Sequence, residues 1–292
     1  MKSLLVALAV ASAACLVRAA APATAAAPAE SAVASAAPAA ASVEAAADQP
    51  GVWTTMCDDF YLCFLKKATD GSPRGMYLVK GLGVTLQVAL SAILMGLLVG
   101  FLVAVVRSSH DKYGYFPLLN AVSKVYLTII RGTPMVVQLL IMYFVILRTA
   151  ESKVLVAILA FGVNSGAYQA EIIRAGIMSI DPGQMEAGRA LGLGYWMTML
   201  RIVIPQAVRN VLPALGNEFI VLMKDTSIVG YIALVDLAKG GDIIRSQTYS
   251  MCLPYLTVAA VYLVLVMVFT WLLGRLERYL RNTGADPVHN DS

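Results

Sequence analysis

Residues 81–106 carry no charged side chain. At about 1.5 Å per residue, a helix of that length crosses the ~30 Å hydrocarbon core of a bilayer with room for tilt. Inside that core every backbone N–H and C=O must be satisfied within the protein, so a long apolar run of this kind spans as a helix. Four further runs follow, at about 121–147, 154–178, 208–234 and 255–274, the first of them interrupted early by Arg131-Gly132-Thr133-Pro134. The pattern predicts an all-α integral membrane bundle of five spans, with the two chain ends on opposite sides. Composition agrees: 59% of the 292 residues are hydrophobic and 14% charged, against about 45–50% apolar and about 25% charged in soluble domains. That excess argues against a soluble enzyme.

The basic residues orient the bundle, because short cytoplasmic loops collect Lys and Arg. The loop after the first span holds Arg107, Lys112 and Lys124, the long connection after the third holds Arg189, Arg201 and Arg209, and the tail holds Arg275, Arg278 and Arg281. The other side offers Arg148 and Lys153 in one loop and Lys239 and Arg245 in the other. The C-terminus is therefore expected in the cytoplasm and the residues before the first span outside it. A net charge of +4 is too mild for a nucleic-acid partner and fits this distribution.

The first 75 residues differ in kind. Met1-Lys2, an apolar run from Ser3 to Val17 and Ala-x-Ala sites such as Ala23-Thr24-Ala25 read as a signal peptide over 1–25, too short to span. Ser12 stands where a lipoprotein site at Cys15 would want a large aliphatic. The Ala/Pro/Ser tract that follows cannot bury enough surface to offset its ordering entropy and reads as a linker. It leads into a small periplasmic segment ending near 74, in which Trp53, Phe60, Tyr61 and Phe64 sit among Asp58, Asp59, Lys66 and Lys67. If exported, Cys57 and Cys63 meet an oxidising compartment, where they either pair or stay as two thiols in an interfacial turn. Residues 75–282 form the transmembrane domain and 283–292 a cytoplasmic tail.

The four cysteines, Cys15, Cys57, Cys63 and Cys252, and the isolated His110 and His289 make no zinc pattern, and no metal site is expected. No Gly-x-x-x-x-Gly-Lys-Ser/Thr occurs, so there is no P-loop, no catalytic residue is assigned, and any use of ATP falls to another polypeptide.

Between the third and fourth spans, Asp181-Pro182-Gly183-Gln184 opens a segment that continues through Glu186, Ala187, Gly188, Gly192 and Leu193 to Ile202-Val203-Ile204-Pro205. Asp181 can cap a helix with Pro182 first and Gln184 third. Gly192 supplies a left-handed stop, and a second short helix runs to Val203 and ends at Pro205.

Glu-Ala-x with Gly six residues after the Glu, nine residues, then Ile-x-aliphatic-Pro resembles the EAA loop of ABC-importer permeases. Gly188 stands in place of the usual second Ala and Ile204 in place of Leu; a glycine within a helix costs about 1 kcal/mol against Ala. Arg131-Gly132-Thr133-Pro134 with Gln138-Leu139-Leu140, then Ser165 to Arg174, then Asn217-Glu218-Phe219-Ile220 and Lys224-Asp225-Thr226-Ser227 narrow the resemblance to the polar amino-acid permease family, over about 75–280. The resemblance implies a type I importer permease fold, a multi-pass subunit in a bacterial inner membrane, and no cofactor on this chain. ATP and Mg would sit on a partner ATPase dimer. It also implies a second permease subunit, identical or homologous, a periplasmic solute-binding protein and a polar amino-acid substrate. The loop docks on the ATPase in such importers. Small residues at Ala187 and Gly188 would admit a partner surface, Glu186 would offer a charge-assisted contact, and Gly192 would fix the bend.

Charges at mid-membrane cost about 2.5–3.5 kcal/mol each and need partners or a water-lined path. Arg131, Glu171, Arg174, Glu218, Lys224 and Asp225 are the candidates. For Glu171 and Arg174, three apart on one helical face, a structural ion pair is the favoured reading. Asn217, Glu218, Lys224, Asp225, Thr226 and Ser227 supply both acceptors for an ammonium and donors for a carboxylate, so they are read either as substrate path or as interhelical structure. Pro213 inside the fourth span frees a carbonyl. An ion-driven secondary transporter or channel, the alternative, would need inverted repeats or matched coupling carboxylates, which five spans with one such loop do not offer.

Overall fold

A computed structural model describes residues 60–68, 71–250 and 252–284. The signal peptide, the linker, Cys57 and residues 285–292 of the tail lie outside these. Among the described residues no strand forms beyond an isolated bridge between Lys67 and Pro73. The helices are α1 (Met76–Tyr113), α2 (Pro117–Gly132), α3 (Met135–Ile141, prolonged by a π turn over Met142–Ile146), α4 (Lys153–Met178), α5 (Gly183–Ala190), α6 (Tyr195–Thr198, prolonged by a π turn over Met199–Val203), α7 (Ile204–Asp225), α8 (Leu237–Thr248) and α9 (Cys252–Gly284).

Three of these are long and apolar enough to cross a membrane unaided: Met76–Asp111, Lys153–Met178 and Cys252–Leu280. The second expected span is a broken pair, Pro117–Gly132 and Met135–Ile146, bent by 108°. The bend follows from Pro134, which bars the residue before it from helical backbone; Thr133 is extended at φ −119, ψ 146. The fourth expected span, 208–234, is α7 followed by a 3₁₀ turn over Thr226–Ile232. With Arg209, Glu218, Lys224 and Asp225 on it, α7 is not among the spanning helices by composition. The loop expected after the first span is helical as far as Tyr113, and Gly114 closes that helix at φ 72.

Small residues set the spacing of the bundle. A Cβ on Gly100 of α1 would lie 2.9 Å from Gln169 Cβ and 3.0 Å from Gly166 O, and one on Gly166 of α4 would lie 3.0 Å from the Tyr126 hydroxyl. Between helices in lipid there is no hydrophobic drive, so close backbone approach at small residues supplies the packing. Gln169, fully buried, uses the gap to donate from Nε2 to Ser165 Oγ (2.8 Å) and Ile93 O (3.2 Å). Tyr126 Oη donates to Val163 O at 2.6 Å and ties α2 to α4.

Hydropathy alone places α8 in a loop, since Lys239 and Arg245 interrupt it. Asp236 caps it by accepting from Ala238 N (3.1 Å) and Lys239 N (2.9 Å). Its Leu237 and Ile244 pack with Cys63, Phe64, Leu78 and Val258, which seats the 60–65 turn on the bundle. Cys63 is buried, its Sγ 3.8 Å from Thr248 Oγ1. On its outer face Asp242 accepts from Lys239 Nζ at 2.8 Å and Arg245 Nη2 at 2.8 Å, and these bonds hold its carboxyl down at about 2. A carboxylate with a depressed folded pKa stabilises above its unfolded value of about 3.9 and loses that contribution as pH falls towards 2. An Asp242→Asn variant should therefore melt about 1–3 °C below wild type at pH 6, with the gap closing between pH 4 and pH 2. A gap that stays constant over that range would refute the linkage.

Candidate functional site

The α5–α6 loop is anchored on its apolar side and bare on the other. Ile180, Met185, Met199 and Val203 pack into one cluster with Ile173, Ile177, Ala207 and Val211, while Glu186, Ala187, Arg189, Leu191 and Gly192 are exposed. The entrance differs from a capping box: α5 begins at Gly183 rather than Pro182, and Asp181 Oδ1 accepts from Gly183 N at 2.8 Å in a local turn. The exit fits a Schellman motif: Gly192 has φ +76, its N–H reaches Arg189 O at 2.9 Å, and Leu193 N reaches Gly188 O at 3.0 Å, the paired bonds of that motif.

Two expectations fail here. Gly188 does not present a small surface to a partner; it is buried, and a Cβ there would meet Thr198 Oγ1 at 2.6 Å. Its role is to let α5 and α6 close on each other, which leaves Glu186 and Ala187 as the outward edge. Pro205 does not end the second helix either. It sits in the first turn of α7, where a missing N–H is tolerated, and the helical path runs on through the π turn over Met199–Val203. Gln206 Nε2 donates to Gln184 Oε1 (3.2 Å) and Asn210 Nδ2 to Ser179 Oγ (3.1 Å), so the loop and α7 are fastened together.

The charges expected within the membrane fall into three groups. Glu171 joins Arg107, and also Arg174 at 3.1 Å, while Arg174 reaches Asp111 at 3.3 Å. This network staples α1 to α4. Arg131 lies 5.4 Å from the Tyr168 ring centroid, a cation–π contact between α2 and α4.

The third group is spread along α7. Asn217, Lys224 and Asp225 are exposed, and Glu218 is half-buried, accepting from Ser165 Oγ at 3.4 Å. Nearby, Asn164 Nδ2 donates to Gln138 Oε1 at 3.0 Å, and Gln138 Nε2 donates to Thr133 Oγ1 at 2.7 Å. Thr226 is turned inward, buried with its hydroxyl on Met223 O at 2.7 Å, and Ser227 is half-buried. The six residues thus do not form one cluster; a rise of about 1.5 Å per residue puts roughly 10 Å between Asn217 and Lys224. Gln206, Asn210, Pro213 and Asn217 follow i, i+4, i+7, i+11 spacing on one face. Gln206, Arg209, Asn210 and Pro213, with Glu277 and Arg278 of α9, line a cavity of about 710 Å³. No sequence motif singles out Gln206, Arg209 and Asn210, although the spacing of Gln206 and Asn210 from Asn217 is readable.

The model of the family described as binding-protein-dependent transport system inner membrane component matches residues 92–282. The chain belongs to that family. This inner membrane component is 35% identical over 208 residues to the glutamine transport system permease protein GlnP of Escherichia coli, covering 70% of this chain and 93% of that one. It is 34% identical over 213 residues to the arginine transport system permease protein ArtQ of Bacillus subtilis, covering 72% and 95%. Among solved structures, a chain of an amino acid ABC transporter crystallised with histidines is similar at TM-score 0.65 and 40% identity, covering 70% of this chain and 94% of that one. A chain of the MetNI methionine ABC transporter, at TM-score 0.62 and 19% identity, supports the fold alone. Membership makes the chain a transport subunit rather than a catalyst. It also accounts for exposed apolar side chains such as Leu98, Leu102 and Val145, which a soluble domain would bury.

Proposed function

We propose that this chain is the permease subunit of an ATP-driven importer for polar amino acids in a bacterial inner membrane. The observation that carries the proposal is the loop edge Glu186–Ala187, exposed beside a buried Gly188 on a rigidly anchored helix, in a segment with EAA spacing. A cytoplasmic ATPase dimer, which holds ATP and Mg, docks on that edge, and its closure swings α7 through the Gln184–Gln206 and Ser179–Asn210 bonds. A second permease subunit, identical or homologous, completes the transmembrane path, and a periplasmic solute-binding protein delivers the substrate. The chain crosses five times, α7 and the bent α2–α3 pair spanning in the assembled complex, with residues 1–25 an export signal, 26–74 periplasmic, 75–282 the permease domain and 283–292 cytoplasmic. Basic residues near the loop and tail support that orientation.

The polar face of α7 is the substrate path, with Asn217 and Glu218 at its centre and Lys224, Asp225 and Ser227 towards its outer end. The relatives' printed substrates, glutamine and arginine, support a polar amino acid. In proteoliposomes holding the complete complex, uptake of labelled glutamine or arginine should exceed that of leucine. Glu218→Gln should cut uptake at least about tenfold, as expected when a charge-assisted contact of about 1.5–3 kcal/mol is lost, with assembly intact. Wild-type uptake in both Glu218→Gln and Asp225→Asn would remove α7 from the path.

A further inference from the structure

Two adjoining apolar cavities lie on the outside of the bundle, of about 110 Å³ and about 190 Å³, and Phe101, Ile177 and Ile204 line both. The first extends along α1 to Leu97, and the second runs down to Val105, Ser108 and Trp196. Together they make one groove between α1, α4 and α7. From Leu97 to Ser108 the groove follows α1 for about 16 Å at the helical rise, close to half of the ~30 Å hydrocarbon thickness, which is the depth of one leaflet.

The lower end is polar in a specific way. The apolar run of α1 stops at Val106, so Ser108 and Ser109 stand at the level of headgroups and ester linkages. Ser108 is 6% exposed and its Oγ is buried without a hydrogen-bond partner. A buried hydroxyl left unpaired is costly, at about 1–3 kcal/mol. This one lines the second cavity, where a bound oxygen acceptor would satisfy it. Tyr195 and Trp196 pack edge-on at 5.1 Å beside the same end, as aromatic side chains do at a membrane interface, and the exposed Arg201 follows groove-lining Leu200.

We infer that this groove binds one phospholipid of the leaflet on the loop side, its acyl chain along Phe101, Ile177 and Ile204 and an ester or phosphate oxygen accepting from Ser108 Oγ. The lipid bridges α1 to the α6–α7 junction. It would thus be a structural ligand of the segment that carries the coupling loop. A second copy of the chain fits less well, because the groove is narrow and ends on a buried donor rather than opening onto a broad face.

The test is native mass spectrometry of the purified full-length chain in detergent, delipidated and titrated with palmitoyl-oleoyl phosphatidylglycerol and separately with the phosphatidylcholine analogue. Wild type should retain one tightly held lipid. Ser108→Ala should bind about three- to tenfold more weakly, the range expected for loss of one net hydrogen bond. Val105→Trp, which fills the groove, should retain none, and Leu98→Phe, on the exposed face of α1, should match wild type. If Val105→Trp aggregates, Ser108→Ala alone decides. Equal retention in wild type and Ser108→Ala would overturn the inference. So would a homodimer that dissociates in Val105→Trp, which would make a second copy the occupant.

Discussion

Glu186→Lys should reduce ATP-driven uptake at least about tenfold while leaving the folded chain and its assembly unchanged. Glu186 is exposed, and none of the ion pairs among the described residues involves it, so reversal of its charge should alter intrinsic stability by no more than about 0.5 kcal/mol. Whatever is lost in transport then measures a contact made outside the chain; a charge-assisted hydrogen bond of about 1.5–3 kcal/mol converts to roughly ten- to hundredfold. Gly192→Val should give the same loss by another route. At φ +76 a β-branched residue is strained by about 1–2 kcal/mol, and the paired bonds that aim α5 would be exchanged for another exit geometry. Uptake and substrate-stimulated ATP hydrolysis, measured together on reconstituted complexes, check both variants. Normal values for Glu186→Lys would remove the loop edge from the coupling path.

The loop also shows where a sequence stops being informative. Its helix–glycine–helix form was readable because Gly192 and Pro182 act through their own backbone, and such local restrictions need no knowledge of the rest of the chain. Gly188 was misread because its partner, Thr198, approaches only once the turn has closed. Helix α8 was missed for a related reason: Asp236 is a readable N-cap, but the helix is held by Cys63, Phe64 and Leu78 from much earlier in the chain, and its charges hid it from a hydropathy scan. The ion network around Glu171 needed the distant Arg107 and Asp111. The apolar helices α1, α4 and α9 were legible because lipid imposes one requirement along their whole length. The bend at Thr133–Pro134 was visible as an interruption, yet its 108° angle depends on how α3 packs against α4.

Gly100→Leu should cost about 3 kcal/mol of stability. The Cβ alone would stand 3.0 Å from Ala170 N and from Gly166 O, backbone atoms that cannot rotate aside, and the rest of a leucine side chain would force α1 and α4 apart. Overpacking of a filled interface costs about 1–3 kcal/mol. At about 2–4 °C per kcal/mol for a domain of this size, the melting temperature in detergent should fall about 6–12 °C. Gly83→Leu is the control, since that position is exposed and open. Equal losses at both positions would mean that leucine on α1 is damaging in general and that the α1–α4 approach has no special role.

The most direct measurement is uptake of labelled glutamine and arginine into proteoliposomes containing this chain, its ATPase partner, a second permease subunit and a solute-binding protein, with ATP supplied or withheld and with imposed proton or sodium gradients. Uptake is expected only with hydrolysable ATP on the ATPase side and with the binding protein on the other. Accumulation driven by an ion gradient in the absence of ATP would contradict an ATP-powered permease and make the chain a secondary transporter.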